Sequence, residues 1–254
     1  MKKKQGFTLV ELLVVIGILG VLMAALFPAI SGAIRSSNLT ACAANGKKLA
    51  DELRRVSMSR EALNLGGVYP VSKDADSAGG DDISEKDPNT AEDYFNEFFD
   101  MANINGSNWR PYCDKGFEMS VLWGYGVNGP RSGQKLKKDN VIWAIAKDMP
   151  SSAPEFLPLI VTRNVNCSQL RSAYTSTSTD TIGIGTAGSA KFDTPFGDQG
   201  AVIVTKGGST KKIENSREMV YTVIYTRTFT QVDEGADNPM TYLIPGGKET
   251  PKTN

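Results

Sequence analysis

Glu11 is the one charged residue between Phe7 and Ile34. On insertion scales an Asp at the middle of a membrane helix costs about 2.5–3.5 kcal/mol, and less near the helix start, so an acid in such a run calls for a compensating positive group. Cleavage between Gly6 and Phe7 would supply one, because the new α-amino group would stand one helical turn before Glu11, where the carboxylate also faces the positive end of the helix dipole. The same carboxylate can instead neutralise the amine of a neighbouring chain, which makes the buried charge an assembly contact. Other chemistry-bearing types are sparse. There is no His, which removes the commonest general base and the commonest metal ligand together. No Gly-x-Ser-x-Gly elbow and no recognisable catalytic carboxylate pair is present, so an enzyme is not expected.

The element that must carry Glu11 is an apolar run from Phe7 to Ile34, long enough for a bilayer core that needs about 20 apolar residues. Lys2, Lys3 and Lys4 precede it and no basic residue follows before Arg35. The positive-inside bias therefore keeps the N-terminus cytoplasmic and exports the C-terminal bulk. Three readings fit such a run: a secretory signal peptide, a plain single-span anchor, and a segment cut at Gly6–Phe7. A signal peptide has a shorter apolar core, about 7–15 residues, and a plain anchor gives no reason for Glu11.

Helical spacing continues beyond the membrane segment. Ile30, Ile34, Ala41, Leu49, Leu53, Val56 and Leu63 form one stripe, and Lys47, Lys48, Asp51, Glu52, Arg54, Arg55, Arg60 and Glu61 form the opposite face. The first half is apolar all round and the second amphipathic, the pattern of a helix that leaves lipid and lies on a globular domain. Pro28 is expected to kink this helix rather than end it. Further on, Thr90 caps a helix to Ile104 whose stripe is Tyr94, Phe95, Phe98, Phe99 and Met101. Strands are expected over 141–146, 157–165, 201–205, 210–213 and 220–230, the third and fourth joined as a hairpin at Gly207-Gly208. The aromatic stretch 109–133 reads as a looped core edge in preference to a ligand-binding surface. Residues 171–190 read as an exposed excursion and 239–254 as a polar, frayed tail. Helix first and antiparallel strands after is an α+β order.

The basic leader, Gly6, then Phe7-Thr8-Leu9-Val10-Glu11-Leu12 and the apolar run resemble the class III signal of type IV prepilins and type II secretion pseudopilins. The resemblance implies a prepilin peptidase that cuts after Gly6 and N-methylates Phe7, with Glu11 as the assembly residue. It further implies that Gly17, Gly20 and Pro28 give the helix flexibility when subunits pack. The implied fold is pilin-like: a long N-terminal spine helix, transmembrane in its first half, packed on an antiparallel β-sheet domain. The implied organisation is a leader over 1–6, a transmembrane and assembly helix over 7–30, its amphipathic continuation over 31–63, and an exported globular α+β domain over 64–254. The implied function is a structural subunit of a type IV pilus or type II secretion pseudopilus. It is anchored in the inner membrane before assembly, with sister subunits, inner-membrane assembly machinery and the lipid bilayer as partners. The alternative is a single-span anchored, exported binding module that does not polymerise.

Equal numbers of basic and acidic residues, 28 each, offer no field for nucleic acid, and none is expected as a partner. Loss of Lys2, Lys3 and Lys4 with the leader makes the mature chain mildly acidic. Cys42, Cys113 and Cys167 lack the short paired spacing of a zinc site. An exported domain meets an oxidising compartment, where Cys113 and Cys167 either pair or stay buried thiols, while Cys42, among alanines, reads as a small packing residue. Asp74, Asp76, Gly79 and Glu85 fall at the first, third, sixth and twelfth places of an EF-hand-type calcium loop. Ala78 replaces an oxygen ligand and Asp81 takes a usually apolar place, so a plain acidic loop is favoured over calcium and no cofactor is expected.

Overall fold

The structure, a computed structural model, describes residues 8–62, 67–70, 88–101, 119–131, 134–147, 149, 155–170, 181–186, 190–214, 218–220 and 241–248. The chain forms two compact units, Met1–Asn38 and Leu39–Asn254. Helix α1, Leu9–Glu61, contributes to both.

In the first unit α1 is helical throughout, including Gly17, Gly20 and Pro28. Its apolar side chains, from Leu9 at 85 % exposure to Ile34, stand open. Apolar residues on every side leave no inner face to bury, as expected of a helix solvated by lipid.

In the second unit α1 buries Leu39, Cys42, Ala43, Gly46, Leu49, Ala50, Leu53, Val56, Ser57 and Arg60, spaced by three and four along one face. Two expectations are corrected here. Ala41 lies on the outer face while its neighbours Cys42 and Ala43 point inward. Glu52 and Arg60, assigned to the solvated face, are buried; Glu52 is retained there by Arg55, whose Nη2 donates to Oε1 at 3.0 Å.

The main sheet is antiparallel and six-stranded, in the order β5-β4-β2-β1-β7-β8. Its strands are β1 Trp143–Lys147, β2 Pro158–Thr162, β4 Gly200–Thr205, β5 Thr210–Glu214, β7 Thr241–Ile244 and β8 Gly247–Lys248. A separate pair joins β3, Thr181–Gly183, to β6, Glu218–Val220. Every residue of β1 and β2 is buried, and all of β4 but its last, so the central strands are covered on both faces. This explains why they read in the sequence as continuous apolar runs rather than alternating ones.

Close approach of α1 to the sheet is set by Gly46. A Cβ there would stand 2.7 Å from Val204 Cγ2 and 2.8 Å from Trp143 Cη2. Trp143 is fully buried and donates its indole N–H to the Val121 carbonyl at 2.7 Å. Helix α2, Ala91–Met101, starts as expected: the Thr90 hydroxyl accepts the Asp93 N–H at 3.1 Å. It buries Tyr94, Phe95, Phe98 and Phe99, and the Tyr94 hydroxyl donates to the Val68 carbonyl at 2.8 Å.

The hairpin β4–β5 turns at Gly207-Gly208 as read from the sequence. The strand expected over 157–165 stops at Thr162, because Arg163 and Asn164 turn the chain and Val165 N–H closes on the Thr162 carbonyl at 3.0 Å. Of the strand expected over 220–230 only Val220 is described, as the end of β6. The tail is corrected: Tyr242, Leu243 and Ile244 are buried in β7 beside β1. So is the excursion, since β3 inserts Ile182 into the core, followed by Ile184. Trp123 and Tyr125 pack half-buried against the core, as expected of its edge. Tyr125 (φ 53°) and Gly126 (φ 94°) form a tight turn in which Gly124 and Val127 exchange both backbone hydrogen bonds.

Candidate functional site

The start of α1 is a reciprocal cap. Thr8 precedes the first helical residue, and its hydroxyl accepts the Glu11 N–H at 3.3 Å. In return Glu11 Oε2 accepts the Thr8 backbone N–H and the Thr8 hydroxyl, each at 2.9 Å. Thr-x-x-Glu at this spacing is a capping box, which satisfies two of the N–H groups that a helix start leaves without intrahelical partners. The acid is thereby turned toward the amino-terminal rim of the helix. Gly6 and Phe7 lie outside the described residues.

Beyond the cap, α1 is long and apolar enough to cross a membrane. Among the described residues, a Cβ added at Gly17 or Gly20 would meet nothing within 4 Å, so no contact among those residues requires either glycine. Pro28 has no N–H to donate to the carbonyl four residues back, yet α1 continues through it, and Ser31 donates its hydroxyl to the Phe27 carbonyl at 3.0 Å.

A family model described as the prokaryotic N-terminal methylation motif matches residues 1–27. The type IV major fimbrial protein FimA of Dichelobacter nodosus is 30 % identical over 166 residues, covering 61 % of this chain and 93 % of that protein. The chain belongs to the type IV pilin family. No solved structure matches it. The α+β fold read from the order of its elements agrees with that membership, with a long N-terminal apolar helix and an antiparallel sheet.

Among the described residues, the remaining candidates of this pilin do not converge on a second site. Cys113 lies outside the described residues, so its pairing with Cys167 is not described. Cys167 is buried and donates its thiol to the Val165 carbonyl at 3.5 Å. Cys42 is buried on the inner face of α1, and burial pushes its thiol far above the ordinary range. The calcium-loop residues Asp74, Asp76, Gly79 and Glu85 also lie outside the described residues. Among the described residues no cluster of three or more metal-ligating side chains occurs.

Two groups of residues escaped the sequence reading. Thr8 was legible, since its spacing to Glu11 is the capping-box signature. Arg163 was not. It is 7 % exposed, its Nη1 donates to the Lys138 and Val141 carbonyls at 3.0 Å each, and Nε and Nη2 reach the Thr194 hydroxyl. Its guanidinium also lies 4.5 Å from the Phe192 ring centroid. The neighbouring Asn164 donates to the Gly197 and Gly200 carbonyls at 2.9 and 2.7 Å. Together they pin the 192–200 loop to the end of β2, a structural task.

Proposed function

We propose that this pilin is cut between Gly6 and Phe7, methylated on Phe7 by prepilin peptidase, and polymerised through residues 7–30 into a type IV pilus. The observation that carries this reading is an open apolar helix whose single acid stands at its start. In water each fully exposed Leu, Val, Ile or Phe forgoes about 1.5–3 kcal/mol of burial, so the segment belongs in lipid or against other helices. Between lipid and a neighbouring helix there is little hydrophobic difference. Register therefore comes from the polar contact, Glu11 meeting a Phe7 amine, while close packing supplies the rest. Gly17 and Gly20, which pack against nothing among the described residues, let sister helices approach or let the helix stretch.

The N-terminus lies on the cytoplasmic side of the inner membrane before assembly, as the lysines ahead of the helix direct. Sister subunits and the assembly machinery are the partners, and no cofactor takes part. The name of the relative, a major fimbrial protein, favours pilus over pseudopilus. In producing cells Gly6→Ala retains the leader, and Glu11→Ala leaves processed monomers in the membrane and none in the sheared filament fraction. A chelator leaves wild-type yield unchanged. Wild-type filament yield from Glu11→Ala would refute the charge-register mechanism, and a detergent-soluble monomer with no filaments from the wild type would favour an anchored binding module.

A further inference from the structure

Three Asn-Gly pairs occur in the chain, at 45–46, 105–106 and 128–129. Glycine carries no Cβ to hinder its nitrogen, so in this dipeptide the nitrogen closes on the asparagine amide, as a five-membered succinimide, more readily than in any other. The pair at 105–106 lies outside the described residues, and the other two stand in opposite settings. Asn45 and Gly46 lie inside α1, where Gly46 is buried and Asn45 Nδ2 donates to the Tyr125 hydroxyl at 3.5 Å. The helical hydrogen-bond ladder holds the Gly46 nitrogen away from attack. Asn128 and Gly129 belong to no helix or strand, and Asn128 is exposed. Among the described residues neither the Asn128 side-chain amide nor the Gly129 N–H has a hydrogen-bond partner. The Asn128 main-chain carbonyl is engaged, accepting Asn140 Nδ2 at 2.9 Å. A donor on that oxygen stabilises the negative charge that reaches it when the Gly129 nitrogen gives up its proton, so the bond that fixes the turn also activates the nitrogen. Packing keeps the glycine in place: a Cβ at 129 would stand 2.5, 2.7 and 2.9 Å from Cε2, Nε1 and Cδ2 of Trp123. For the ring to close, only the Asn128 side chain has to move.

We propose that Asn128 is a site of spontaneous deamidation in the folded protein, with water as the co-reactant. The Gly129 nitrogen, its proton lost to hydroxide, forms a bond to Asn128 Cγ. The Cγ–Nδ2 bond breaks, and the amide takes a proton from water and leaves as ammonia. A further water opens the succinimide at either carbonyl, giving aspartate or isoaspartate at position 128. Both products add one negative charge three residues before the exposed Arg131. Isoaspartate also inserts a methylene into the backbone at the residue that Asn140 holds, and so loosens the clasp between the 128 turn and the 137–140 turn. The exposed loop thereby changes its charge and its anchoring as the molecule ages, whether or not the chain polymerises.

The test incubates the full chain in detergent micelles at pH 7 and 8.5, with and without urea, and maps its peptides by mass spectrometry with fragmentation that separates aspartate from isoaspartate. In the native chain conversion at 128 is expected to run at least about tenfold faster than at 45, which must wait for α1 to open locally. It is faster at pH 8.5 than at pH 7, and in urea the two sites become alike. Asn140→Asp keeps the oxygen that accepts the Lys137 N–H but loses the donor to Asn128, and is expected to slow conversion at 128 by about two- to tenfold, the factor of one hydrogen bond. An unreacted Asn128 in the native chain, a rate at 45 equal to that at 128, or a rate at 128 that does not rise with pH would overturn the assignment. Unchanged or faster conversion in Asn140→Asp would overturn the activating role of the Asn140 contact.

Discussion

A single methyl group at position 46 sets two ordinary rules against each other. Replacing a helical glycine by alanine stabilises an exposed helix by about 1 kcal/mol. Here the new carbon would sit 2.7 Å from Val204 Cγ2 and 2.8 Å from Trp143 Cη2, whereas carbon pairs rest at about 3.5–4.0 Å. Neither neighbour retreats easily. Val204 lies in β4, paired with β2 on one side and β5 on the other, and Trp143 is held by its hydrogen bond to the Val121 carbonyl. Overpacking of this kind costs about 1–3 kcal/mol, so Gly46→Ala is expected to lose about 1 kcal/mol net. Gly46→Val, with two more carbons and a stiff χ1, is expected to lose about 3 kcal/mol. The assay is urea unfolding of the full chain in detergent micelles, followed by tryptophan fluorescence. The control is Ala44→Gly on the outer face of the same helix, which should lose about 1 kcal/mol from propensity alone. If Gly46→Ala instead raises the unfolding midpoint, propensity outweighs contact and the close approach of α1 to the sheet is wrong.

Arg163→Met should destabilise the chain by about 3 kcal/mol, read as a lower urea midpoint at unchanged slope, because the Lys138 and Val141 carbonyls and the Thr194 hydroxyl lose their charged donor. Cys42 should resist iodoacetamide at pH 8 in the native chain and react in urea, since burial disfavours its thiolate. Alkaline pH should destabilise the chain. Burial raises the Cys42 thiol above its ordinary 9.0 and the Tyr94 phenol well above 10.0, and burial, helped by the nearby Cys42, pushes Tyr125 up to about 12. These groups favour the folded state while neutral. Their contribution is therefore complete below the unfolded values, near pH 9 for Cys42 and pH 10 for the tyrosines, and is lost as pH rises above them. Urea midpoints at pH 8, 10 and 11 should fall in that order, and a flat series would show that these groups are not buried.

The parts of the fold legible in the sequence are those in which one force dominates. The apolar run of α1, the Thr90-capped aromatic stripe of α2, and the unbroken apolar runs of β1, β2 and β4 each announce a buried or lipid-facing surface by hydropathy alone. What stayed hidden depends on partners far along the chain. Tyr242-Leu243-Ile244 is a short apolar triplet in a polar segment rich in Pro and Gly, and only pairing with β1 makes it a strand. Glu52 and Arg60 look like a solvated face until the rest of the unit closes over them. Arg163 interrupts an apolar run, and its acceptors at Lys138, Val141 and Thr194 are distant in sequence. At the candidate site the balance is reversed: Glu11 and its partner Thr8 are neighbours, so the chemistry of the helix start is written locally.

The central claim is that an amine uncovered at Phe7 meets the acid at Glu11, and the mass of the chain taken from producing cells tests it most directly. Intact mass and N-terminal fragmentation are expected to show a chain beginning at N-methylated Phe7, in both membrane and sheared filament fractions. A chain beginning at Met1 or Lys2 in those fractions would contradict it.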